Sequence, residues 1–444
     1  MRLFIFIVFS AVSLSAEPIS LEHALELIKK QNLELKAAEY ALQSASYSVD
    51  MASSQDYGQL DFVQNISRSN DAGNVFGFKL GSREASFNDF GLGETIPPDA
   101  PVQALNYPDA RNHFQSKLSY SLPLYTGNKI TAYQNMAKAM RRISLLEKEE
   151  QLNTKVYETR KSYFDMALLK RSLENLSIIF ENISRLEETT QEMISEGYAK
   201  NIDLLEVQSK KANVQRIIVE LEANQELLYH YLSFLLNQEV SEITTPAYDL
   251  AEPQISAEEI LRNSIDIQKA AAALQLREQM LVAEESRYLP TLGAMAEVQT
   301  SDDTFLADAN DHKSYTVGLQ FKWNLFSGGG DAAAIQKARV ETLKMKTQSE
   351  LARQGIALKV KEIQTKIQTA NSEIKSLKSE LSLSRQIYEN YEGRYNEQLA
   401  SMSDVIIKQS SWLENVLQLL KAENSRNTQI FALERLALIQ GEKR

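Results

Sequence analysis

The chain has 444 residues, no cysteine, and 48 basic against 59 acidic side chains, for a formal net charge of −11. Without cysteine there is no disulfide, thiolate metal site, thiol nucleophile or lipidated N-terminal cysteine. The acidic balance argues against nucleic acid as a partner, because phosphate binding wants a basic face.

The first predicted element is a secretory signal peptide over residues 1–16. Met1-Arg2 leads into an apolar run from Leu3 to Val12, and the small-residue cluster Ser13-Leu14-Ser15-Ala16 precedes Glu17. Cleavage is expected after Ser15 or Ala16. The apolar run is too short to span a bilayer, which takes about 20 apolar residues in a helix. No later segment approaches that pattern, so a membrane role falls to β-strands or to surface attachment.

An amphipathic helical segment is predicted from Leu21 to Ser53, and a β-hairpin over 60–125 follows. Phe114, Ser116, Leu118, Tyr120, Leu122 and Leu124 alternate with polar residues, the period of a strand with two unlike faces. Its upstream partner, between Leu60 and Leu80, is less regular. Gly81 to Asn112 is rich in turn-forming residues and reads as an exposed loop. A proline-free helix is predicted over 128–196, with Met166, Leu169, Leu173, Leu176, Phe180 and Ile183 at coiled-coil spacing. A turn at Gly197 to Asn201 leads to a return helix over 202–238. Residues 239–256, which contain Pro246 and Pro253, read as a linker.

The same order then recurs. A helix is predicted from Ala257 to Arg287 and a β-hairpin over 290–326, whose strands are Leu292 to Val298 and Tyr315 to Leu325. A long helix over 331–398 carries a seam from Val360 through Ile367, Ile374, Leu381 and Tyr388 to Tyr395. The turn at Leu399 to Met402 leads to a return helix over 403–440. Sliding the chain on itself by 232 places Leu33, Leu35 and Ala38 on Ile265, Ile267 and Ala270. A shift of 201 places Leu124-Tyr125-Thr126-Gly127 on Leu325-Phe326-Ser327-Gly328, and Asp203 on Asp404. Residues 17–238 and 257–440 are therefore read as two copies of one plan, with an insertion in the first.

Four strands cannot close a barrel, and open strand edges are not tolerated in lipid. Two chains would supply eight strands, a number whose interior is filled by side chains, and three would supply twelve and begin to leave a lumen. The aromatic residues Tyr125, Tyr315, Trp323 and Phe326 near the strand ends favour a membrane barrel over a soluble sandwich. The predicted fold is mostly α with a membrane β-barrel and long coiled-coil hairpins.

The ordered set of elements resembles the TolC-like outer-membrane factors. So do Tyr288-Leu289-Pro290-Thr291-Leu292, Leu122-Pro123-Leu124-Tyr125-Thr126-Gly127, Trp323-Asn324-Leu325-Phe326-Ser327-Gly328, and the pairs Ile202-Asp203 and Ser403-Asp404 beyond the turns. The resemblance implies a homotrimer with a twelve-stranded barrel in outer-membrane lipid and an α-helical barrel in the periplasm. It also implies a passive duct that docks on a periplasmic adaptor and an inner-membrane pump, for drug efflux or type I secretion. In the family, acidic residues beyond the second turn ring the periplasmic entrance. Asp404 stands at the matching place, Ile407 stands where the second acid would be, and Glu206 is the candidate substitute. By residue type alone, Asp203 and Asp404 also suit helix N-caps. Gly197, Tyr198, Ala199, Asn201, Leu399, Ala400, Ser401 and Met402 form the turns expected to meet the adaptor.

Catalytic chemistry finds no support. His23, His113, His230 and His312 lack metal-ligand spacing. Gly328 to Gly330 are not followed by Lys-Ser/Thr, so no nucleotide site is expected. Asp302, Asp303, Asp308 and Asp311 match no calcium loop and read as a solvated loop. No cofactor is expected. The competing reading is a periplasmic coiled-coil adaptor or rod without a membrane span.

Overall fold

A computed structural model of the chain describes residues 18–91, 97, 99–246, 250–306 and 310–437. The signal peptide and its cleavage site, Asp308, and the end of the second return helix lie outside the described residues. The chain divides into two compact units. One is formed by Gln43–Arg142 and Ala272–Thr347, the other by the remainder.

The unit built from Gln43–Arg142 and Ala272–Thr347 is organised by one four-stranded antiparallel sheet in the order β1-β2-β3-β4. Its strands are β1 (Gln59–Ser69), β2 (Arg111–Tyr125), β3 (Thr291–Asp302) and β4 (Lys313–Lys322). At 10 to 15 residues each, all four meet the length a tilted membrane strand needs. The two predicted hairpins are thus joined edge to edge. Leu118 pairs with Phe62 on one side and Val298 on the other, and Val298 in turn pairs with Tyr315. Because side chains alternate, this register gathers Leu60, Phe62, Leu118, Tyr120, Val317, Leu319 and Phe321 on one face. That face is exposed, with Tyr315 at 81% and Leu319 at 71%. An apolar face this open on an isolated chain needs another apolar medium to cover it.

Several boundaries differ from the sequence reading; β3 runs on past Val298 to Asp302, so that Asp302, read as part of a solvated loop, is a buried strand residue. The strand expected between Leu60 and Leu80 stops at Ser69, and α3 (Ala72–Gly81) follows, because the Asp71 carboxylate accepts the Asn74 amide at 2.9 Å and caps a helix there. The loop expected from Gly81 onward also holds a short helix, α4 (Gln103–Asn106). β4 ends at Lys322 rather than Leu325: Trp323 leaves the ladder and its indole N–H donates to the Tyr288 carbonyl at 3.0 Å.

Each N-terminal helical segment is two helices rather than one: α1 (Leu21–Gln31) and α2 (Leu33–Ser54), then α7 (Ala257–Asn263) and α8 (Ile265–Glu285). The breaks fall at Asn32 and Ser264, which the shift of 232 superposes. Both are buried, and their backbone N–H groups donate to the carbonyls of Ile28 and Ile260, again a matched pair. The Asn32 side chain donates to the Leu235 carbonyl at 2.8 Å and accepts the Leu35 amide at 3.1 Å. Asn32→Ala removes a cap worth about 1 kcal/mol and strands a buried acceptor at a further cost of about 1–3 kcal/mol. A fall in the denaturation midpoint is expected, and an unchanged midpoint would refute the capping role.

The second unit contains most of the long helices α5 (Lys129–Ser195), α6 (Asn201–Leu236), α9 (Gly330–Asn396) and α10 (Met402–Ala437). α5 and α9 have 67 residues each, so at 1.5 Å per residue each is about 100 Å long. Neither Gly355 nor Gly393 interrupts α9. The predicted seam is inward: Val360, Ile363, Ile367, Leu377, Tyr388 and Tyr395 are all buried. The duplication is visible in the packing. Ile28, Met166 and Leu232 share one core cluster, and their counterparts Ile260, Ile367 and Leu433 share another.

Candidate pore face and entrance turns

The sheet face opposite the apolar one carries Asp61, Asn65, Gln115, Lys117, Ser119, Glu297, Gln299 and Thr316. Asn65 donates to Gln115 at 3.0 Å and Gln115 to Gln299 at 2.9 Å, a ladder of amides across three strands. Lys117 pairs with Glu297 just beside it. Such a face offers mainly neutral hydrogen-bonding groups to water, and its Lys117 and Glu297 charges offset each other. Among the described residues, on this face or elsewhere, no three or more histidine, aspartate or glutamate side chains converge as a metal site. No described helix is long and apolar enough to cross a membrane.

The two helix turns share one geometry. Gly197 has φ +81° and the residue 201 positions later, Gln398, has φ +64°, both left-handed. The amide of Tyr198 donates to the Met193 carbonyl at 2.7 Å, and that of Leu399 to the Arg394 carbonyl at 2.7 Å, closing each helix end in the same way. Tyr198 and Leu399 are exposed, as expected of tip residues. Asn201 and Met402 are not turn residues. Each opens its return helix, and Met402 is buried against Val405 and Tyr395 because the helix starts one residue earlier than the sequence suggested.

The acids sit where helix capping places them. Asp203 accepts the Lys200 amide at 2.9 Å, and Asp404 accepts both the Ser401 hydroxyl at 2.6 Å and the Ser401 amide at 3.3 Å. Both are the third helical residue reaching back to the cap, so neither is the N-cap itself. Hydrogen bonds from the Ser401 side chain and then its backbone hold the Asp404 carboxyl below the usual carboxylate range. Glu206 accepts from the Ser403 hydroxyl, which ties α6 to α10 across the two repeats. Ile407, where a second acid was sought, is an exposed apolar residue on the rim of a groove of about 450 Å³ between α6 and α10, with Ile202 and Leu205 on the other side.

The sequence profile of the outer membrane efflux proteins matches residues 24–238 and 257–437, which is most of the chain and both repeats. The chain belongs to the outer membrane efflux protein family. It is an outer-membrane efflux channel that extends into the periplasm, and it is not an enzyme. The solved structures agree in fold. The chain is similar to a membrane protein from Pseudomonas aeruginosa, at 14% identity and TM-score 0.79, with 94% of this chain and 93% of that one covered. It is also similar to the Campylobacter jejuni CmeC outer membrane channel, at 16% identity, TM-score 0.77, and coverage of 94% and 85%. The third is the open state of the Neisseria gonorrhoeae MtrE outer membrane channel, at 14% identity, TM-score 0.76, and coverage of 94% and 88%. No curated protein matches in sequence.

Within this efflux protein the two repeats differ at one place that sequence reasoning passed over. Glu187 pairs with Lys211 at 2.8 Å in the first repeat. Moved by 201, these positions are Tyr388 and Trp412, which stack with ring centroids 5.5 Å apart and 12° between planes. A part-exposed ion pair contributes under about 1 kcal/mol, whereas the aromatic stack buries large rings as well as pairing them. Applying the repeat shift to charged residues, not only to apolar ones, would have found it.

Proposed function

We propose that three copies of this chain close a twelve-stranded barrel and serve as the exit duct of a tripartite pump, with a periplasmic adaptor and an inner-membrane transporter. The observation that carries the trimer is the four-strand sheet with two free edges, β1 and β4, and one exposed apolar face. Lipid leaves no way to satisfy an open strand edge except by pairing it with another strand. The polar face then lines the lumen. The helix turns are the periplasmic tip, and the groove flanked by Ile202, Leu205 and Ile407 receives an apolar edge of an adaptor's helical hairpin. Deleting this gene and a neighbouring adaptor gene separately should give the same rise in drug susceptibility, if the cargo is drugs, or the same loss of a secreted protein, if the cargo is protein. Two unlike phenotypes would contradict a shared pathway.

The acids near the turns form the entrance ring. Symmetry-related carboxylates in a narrow lumen focus negative potential and favour cations. Asp404→Ala removes both that charge and the hydrogen bonds that hold the start of α10. Raised single-channel conductance with weakened cation preference is expected in planar bilayers, and conductance and selectivity equal to the parent would exclude Asp404 from the gate.

A further inference from the structure

The duplication leaves one segment without a counterpart, the stretch between β1 and β2 that contains α3 and α4. In the second repeat the same link, between β3 and β4, is only about ten residues long. The first part of the longer segment, residues 72–91, is held together by its own contacts: Phe76 and Phe90 meet edge to face at 5.3 Å, Lys79 pairs with Asp89, and Val75 is buried.

Its position on the sheet is what matters. Strand alternation puts His113 and Ser301 on the polar face, and both lie under α3. The Phe78 ring stacks on the His113 ring at 4.1 Å with 7° between planes. A Cβ at Gly81 would lie 3.7 Å from the Ser301 side chain and 3.9 Å from that of His113. Arg83 reaches to the sheet's far strand, donating to the Lys313 carbonyl at 2.8 Å, and Arg111 of β2 donates to the Ser82 hydroxyl at 3.1 Å. All these contacts are at the end of the sheet remote from the strand ends that join α2, α5, α8 and α9.

We propose that α3 and the residues just after it, clamped by Phe78 and Arg83, form an inward ledge over the outer mouth of the pore, and that this ledge sets the largest solute able to pass between lumen and exterior. The inference rests on the reading that the polar face lines a closed barrel. With one ledge per copy, three would converge on the mouth from the wall. The second-repeat loop is too short to add to them.

The absence of native cysteine makes the test direct. A single Ser119→Cys places a thiol on the polar face below the ledge. Intact cells are treated from outside with a small membrane-impermeant maleimide and, separately, with a maleimide on a large polymer. The same is done in a variant with 72–106 replaced by a short Gly-Ser link. A Phe78→Ala/Arg83→Ala variant, which keeps the chain length, guards against misfolding of the shortened loop. The ledge predicts that the small reagent labels all three proteins, while the large one is excluded by the parent ledge and admitted by both variants. Equal labelling by the large reagent with and without the ledge, whether admitted or excluded in all three, overturns the proposal. If the small reagent fails on Ser119→Cys but labels Val317→Cys on the apolar face, the lumen assignment itself is wrong, and the ledge goes with it.

Discussion

Phe431→Ala should lower the stability of the helical unit by about 3–5 kcal/mol, the usual cost of deleting a fully buried ring. The ring is 2% exposed on α10 and meets Phe164 of α5 edge to face at 4.9 Å. The Arg160 guanidinium lies 4.4 Å from its centroid and also pairs with Glu434, so removing the ring unseats a largely buried ion pair as well. Phe431→Leu keeps most of the volume and should cost under about 1.5 kcal/mol by that criterion, so any larger loss reports the ring's own contacts with Phe164 and Arg160. Chemical-denaturation midpoints of the two variants check this: a Leu midpoint close to the parent's would show that volume alone matters, and equal midpoints for the two variants would assign the whole effect to the ring's contacts. The pair also sets a pH dependence. Burial pushes the Glu434 carboxyl up, and Arg160 offsets this only in part. The folded chain therefore holds that proton more readily than the unfolded one, and this contribution to stability declines as pH rises from the ordinary carboxylate value through the raised one. Glu434→Gln should remove that slope.

Gly127→Ala and Gly328→Ala form a matched pair provided by the duplication, and their effects should differ severalfold. Both glycines follow a strand and start a long helix, with φ of +63° and +64°. Left-handed backbone alone costs a residue with a Cβ about 1–2 kcal/mol, and nothing lies within 4 Å of a Cβ at Gly328. At Gly127 the new atom would stand 2.7 Å from the Cβ of Leu289 and 3.2 Å from the Ser286 carbonyl. A Cβ is fixed to the backbone, so the link between α8 and β3 must move, adding about 1–3 kcal/mol of overpacking. Reduced yield of folded protein in the outer membrane is expected for Gly127→Ala, with near-normal yield for Gly328→Ala. Equal yields would contradict the packing of Gly127 against that link.

Periodic elements were legible from sequence because period has one cause. A strand with an apolar and a polar face must alternate, as Tyr315 to Phe321 do, and a helix packed along one seam must repeat as Val360 to Tyr395 do. What escaped depended on single polar contacts or on pairing at long range. One Asp71 side chain turns an apolar stretch that resembles a strand into α3. The helix breaks at Asn32 and Ser264 interrupt otherwise continuous amphipathic patterns, because a buried amide or hydroxyl at the break leaves the apolar spacing almost unchanged. The union of the hairpins through β2 and β3 has no local signature at all. At the turns, the reach of Asp203 and Asp404 back to their caps was half visible. An Asp just past a helix start suits both the N-cap and the third position, and only the hydrogen bonds from Lys200 and Ser401 decide between them. The entrance role stands on family likeness rather than on residue pattern.

Closure of the β1 edge of one copy onto the β4 edge of the next is the step on which the pore depends. Disulfide trapping tests it, with Asp61→Cys on β1 combined in turn with Thr316→Cys, Gly318→Cys and Gln320→Cys on β4, all on the polar face of a chain that has no cysteine of its own. At least one pair should yield a covalent ladder in outer membranes that stops at three chains. A chain that stays monomeric with every pair, or a ladder that runs past three, would contradict the closed barrel.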